Sequence, residues 1–70
     1  MQMTKSIRLR RAQKAESQRI RDEIDGILRQ LGEAYAGFNS ATDPELIEAI
    51  IYEINALRSR YDYAYRKAKG

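Results

Sequence analysis

The side chains with the most chemistry to offer are cations and tyrosines gathered toward the two ends of a 70-residue chain. Lys5, Arg8, Arg10, Arg11 and Lys14 precede the first acidic residue, Glu16, and Arg66, Lys67 and Lys69 stand near the C-terminus. Clustered Lys and Arg neutralise phosphates and release counterions, so such clusters are the electrostatic footprint of a nucleic-acid backbone binder. Tyr61, Tyr63 and Tyr65 lie among the C-terminal cations, and aromatics can stack on unpaired bases. No helix-turn-helix or other reader motif accompanies the charge, and solvated helix ends carry the same residues. Nucleic-acid binding is therefore the alternative reading. An anionic membrane surface is less well supported, because the N-terminal stretch lacks the large apolar residues an interface needs.

Carboxylates cluster at Asp22, Glu23 and Asp25 and again at Glu45 and Glu48. Acid–base catalysis needs such groups in a cleft that perturbs their proton affinity, and these fall mostly on polar helix faces. The chain has no Cys and no His, which removes disulfides, zinc sites and the usual nucleophile–base pairs. There is no glycine-rich phosphate loop and no nucleophile elbow. The expectation is a protein that is not an enzyme and that carries no cofactor or metal. No run of some 18 apolar residues is present, so no transmembrane helix is expected. The N-terminus lacks the apolar core of a signal peptide.

The elements that must position these groups are helices. Asp43 is suited to cap a helix whose first residue is Pro44. Ile47, Ile50, Ile54, Leu57, Tyr61, Ala64 and Ala68 then recur at 3-4 spacing, a single helical face, with Leu46, Ile51 and Tyr65 widening it. A second face runs Ile20, Ile24, Ile27, Leu31, Ala34 and Phe38, with Leu28 and Tyr35 beside it. These patterns predict an all-α, antiparallel two-helix hairpin in one domain: a basic arm over 1–12, frayed or mobile, a first helix over about 13–37 ending at Gly37, a loop over 38–42, and a second helix over 43–68. Matching the stripes layer by layer pairs Leu31 with Ile50 and Ile20 with Tyr61. It brings both chain ends to one basic pole and leaves Glu33, Asp43, Glu45, Glu48 and Glu53 at the loop end. Gly26 and Gly32 lie inside the first helix, at about 1 kcal/mol each relative to alanine. They are either tolerated weak spots or points of close helix approach.

A chain this small buries only about 60% of its unfolded surface. With disulfides and zinc removed, oligomerisation is the remaining staple. Ala49, Tyr52, Ala56 and Tyr63 form a second row on the back of the second helix, small and aromatic by turns. This row is the expected dimer or partner surface, joined by Gly26 and Gly32 if helices approach there. The leading expectation is a homodimer completing a four-helix bundle, with an unidentified protein partner as the other way to cover the helices.

The run Thr42–Lys69 resembles the YaaL-like family of small bacterial proteins of unknown function. The shared features are the D-P-x-L-I-[DE] start at Asp43–Glu48, I-Y-E at Ile51–Glu53, A-L-x-x-R-Y at Ala56–Tyr61 and the basic K-A-K end at Lys67–Lys69. Where the family tends to show leucines after its final tyrosine, this chain has Ala64 and Tyr65. The resemblance implies a small, cytoplasmic, all-helical bacterial protein, and it transfers no functional residue.

Overall fold

The computed structural model describes the backbone of residues 2–69 and the side chains of residues 7–69. Two helices, α1 (Gln2–Ser40) and α2 (Pro44–Lys69), pack against each other as a hairpin. The turn between them is built by two local devices. The Ser40 hydroxyl donates toward the carbonyls of Ala36 and Gly37, 3.2 Å from each, and the Ala41 amide donates to the Gly37 carbonyl at 2.9 Å. Asp43 then caps α2: its Oδ1 accepts from the Glu45 amide at 3.0 Å, while its carbonyl accepts the first helical bond from Ile47. This satisfies donors that every helix start leaves free. Glu45 in the first turn and Arg66, Lys67 and Lys69 in the last oppose the ends of the helix dipole.

The core is a single row. Ile27 and Ala34 of α1 and Ile50, Ile54, Leu57 and Ala64 of α2 are buried, and Ile24, Leu31, Ala41 and Tyr61 pack against them. Every one of these residues except Ala41, which lies in the turn, belongs to the two stripes expected from the spacing. No polar or charged side chain is buried among the described residues. Phe38 departs from its stripe and stays 39% exposed. At that level it is Gly37 that faces α2, where an added Cβ would sit 3.7 Å from Ile50 Cδ1.

Three expectations about the helix boundaries and pairing need correction. The segment expected as a frayed or mobile arm, 1–12, is helical from Gln2 onward, continuous with the rest of α1. The first helix runs past Gly37 to Ser40, with no glycine at positive φ among the described residues. The Ser40 hydroxyl serves the last carbonyls, so the glycine C-cap is not used. The pairing is also displaced: Ile50 lies against Gly37 rather than Leu31, and Ile20, with Ser17 and Arg21, shares a pocket with Ala68 rather than with Tyr61. At this second end the shift is seven residues, one heptad. The longer α1 and the shorter turn cause it, since both ladders keep the same 3-4 spacing and mesh equally well one repeat along.

The same boundaries set the shape. With 39 residues against 26, α1 outruns α2 by about 20 Å at 1.5 Å per residue. The hairpin closes at Ala41–Asp43, so all of this excess projects beyond the C-terminal end of α2. The molecule measures 64 × 17 × 13 Å with a radius of gyration of 18.0 Å, against about 11 Å for a compact domain of this length.

Candidate interaction surfaces

The expected basic pole is not a single cluster. Arg8, Arg10, Arg11 and Lys14 are exposed along the projecting part of α1, whereas Arg66, Lys67 and Lys69 are exposed on the last turn of α2, about where Ser17 and Arg21 pass. The side chain of Lys5 lies outside the described residues. The cations therefore form a stripe along the molecule's length, because α1 continues as a lone helix past its partner. At the α2 end, Tyr61 and Tyr65 stack at 6.0 Å between ring centroids, and the Lys69 ammonium sits 5.1 Å from the centre of the Tyr65 ring. Such cation–π contacts are worth about 0.5–1 kcal/mol at exposed sites. With Tyr61 half-buried and Tyr65 held by that stack, Tyr63, 63% exposed, is the tyrosine left clear of both.

The back row behaves as a surface and nothing more within one chain. Ala49, Tyr52, Ala56 and Tyr63 are all exposed on α2, and they are not brought against α1. Gly26 and Gly32 have no heavy atom within 4 Å of where a Cβ would stand. No close helix approach occurs there in the hairpin.

A different surface emerges from residues that the spacing placed at the margins of the core. Leu28 and Tyr35 lie seven apart on α1, and Ile51, Arg58 and Tyr65 lie seven apart on α2. Each follows a residue of the core ladder, the position called e in a heptad. In an antiparallel pair the e columns of both helices fall on the same flank. Leu28, Tyr35, Ile51 and Tyr65 are each 43–48% exposed there. The two columns border a groove of about 450 Å³ lined by Leu28, Leu31, Tyr35, Arg58, Tyr61 and Asp62. The opposite flank carries Glu23, Gln30, Leu46, Glu53, Arg60 and Lys67 and is polar apart from Leu46. Sequence reasoning counted Leu28, Tyr35, Ile51 and Tyr65 as broadening the core. It could have separated them by noting that both columns advance from the core to the same side.

Among the described residues, no group of three or more His, Cys, Asp or Glu side chains is arranged to hold a metal ion. No helix among them is long and apolar enough to cross a membrane. No curated protein and no solved structure significantly matches the chain. The model of one family, described as a protein of unknown function (DUF2508), matches residues 3–70. With that match spanning both helices and the turn, the chain belongs to the DUF2508 family, whose function is unknown.

Proposed function

We propose that this chain is a non-enzymatic helical interaction module that self-associates, two hairpins completing a four-helix bundle. The observation that carries the reading is the mismatch between a six-residue buried core and the large apolar side chains left half-exposed along one flank. A helix pair buries one stripe per helix, and bundles close by burying a second. Resemblance of Thr42–Lys69 to the YaaL-like proteins supports a bacterial, cytoplasmic setting. Sedimentation equilibrium at micromolar concentration is expected to give twice the chain mass. A folded monomer under those conditions refutes the reading.

A second reading has its own observation: Arg8, Arg10, Arg11 and Lys14 project on a lone basic helix of about 20 Å, free of acidic residues. Such a helix fits a nucleic-acid backbone. It predicts DNA or RNA binding that weakens steeply with salt and is lost on replacing Arg8, Arg10 and Arg11 by Glu. Gel shifts at low salt with no retarded species rule it out.

A further inference from the structure

We infer that the second copy docks antiparallel on the Leu28–Tyr35–Ile51–Tyr65 flank, so that the basic stretch where α1 passes the last turn of α2 meets the acidic turn end of the other chain. This rests on the self-association reading and goes beyond it by assigning the surface and the orientation.

The surface follows from exposure. Four large apolar side chains, each nearly half uncovered, present about 400 Å² of side-chain area along this flank. A standard interface takes about 800 Å² from each partner, so the flank supplies the apolar centre and its neighbours supply the rim. The groove between Leu28, Tyr35 and Arg58 is the seam into which a facing helix ridge fits. The back row of Ala49, Tyr52, Ala56 and Tyr63 offers no seam, because it lies on one helix alone.

The orientation follows from charge. Residues 1–15 contain five Lys or Arg and no Asp or Glu, while residues 30–57 contain five Asp or Glu and no Lys or Arg. The first set lies on the projecting part of α1 and the second surrounds the turn, at opposite ends of a 64 Å molecule. A parallel dimer would set like charges side by side. An antiparallel dimer with a two-fold axis across the middle of the flank sets the cations at that level, Lys14, Arg21 and Lys69 among them, toward the partner copy's Glu45 and Glu48 twice, and it closes on itself without leading to a filament.

The absence of native cysteine makes the arrangement open to direct test. Arg21→Cys chains mixed with Glu48→Cys chains are expected to form a disulfide across copies, and neither variant alone to do so. Tyr35→Glu with Ile51→Glu, both at exposed positions, is expected to raise the dimer dissociation constant by about 100-fold or more while circular dichroism shows the helices retained. Tyr52→Glu with Tyr63→Glu is expected to change it by less than about threefold. Added salt is expected to weaken the dimer. A dimer that survives the flank pair but not the back-row pair overturns the surface while leaving self-association standing. Efficient Arg21→Cys self-linking overturns the orientation alone. A monomeric wild-type chain ends both.

Discussion

Replacing Gly26 and Gly32 by alanine tests whether the outer surface of α1 is as open as it stands in the hairpin. Both glycines are interior to a 39-residue helix, where glycine is less favourable than alanine by about 1 kcal/mol because it forfeits more backbone entropy on folding. Nothing lies within 4 Å of either added Cβ, so no steric term offsets the gain. The two sites share no partner and their effects should add, giving about 2 kcal/mol for the double variant. For a chain of this size each kcal/mol moves the melting temperature by about 4–8 °C, so a rise of about 8–16 °C is expected for Gly26→Ala with Gly32→Ala. Thermal unfolding followed by far-ultraviolet circular dichroism, repeated across a range of protein concentration, separates intrinsic helix stabilisation from any change in association. A lowered melting temperature for either single variant would refute the reasoning. It would mean that a backbone approaches α1 at that glycine in the assembled protein.

The remaining predictions bear on the core, the cap and the register. Leu57→Ala removes a side chain only 4% exposed and should cost about 2–5 kcal/mol in urea unfolding, a large share of the stability of so short a chain. Tyr52→Ala, at 66% exposure, should stay within about 0.5 kcal/mol of wild type, and a comparable cost at both sites would show that the buried row is misidentified. Asp43→Ala removes the acceptor for the Glu45 amide and should cost about 0.5–2 kcal/mol, most of which Asp43→Asn should restore. Ile20→Cys with Ala68→Cys should form an intrachain disulfide more readily than Ile20→Cys with Tyr61→Cys, and the reverse order would restore the pairing expected from the stripes alone.

Much of the hairpin was legible because its signals are local. The apolar 3-4 spacing in Ile20–Ala34 and Ile47–Ala64 needs only helical geometry to become two faces. The Asp43–Pro44 pair needs only the stereochemistry of a helix start. The end of α1 was less legible, because Gly37 and Ser40 offer competing ways to finish a helix, and the choice depends on which carbonyls the Ser40 hydroxyl reaches. The interaction surface was legible only in part. Leu28, Tyr35, Ile51 and Tyr65 could be placed beside the stripes, but whether such a residue is covered depends on how two helices are rotated against each other.

By itself, the sequence determined the helical class, the number of helices, the identity of the core ladders and the segregation of charge along the chain. Each of these follows from residue type and a fixed rise and turn per residue. Only the tertiary structure decided the register and, through it, the overhang of α1, the spreading of the cations into a stripe and the flank on which apolar side chains remain uncovered. The physical reason is that two ladders of identical spacing mesh in more than one register, so the pattern cannot choose among them. The turn at Ala41–Asp43 makes that choice.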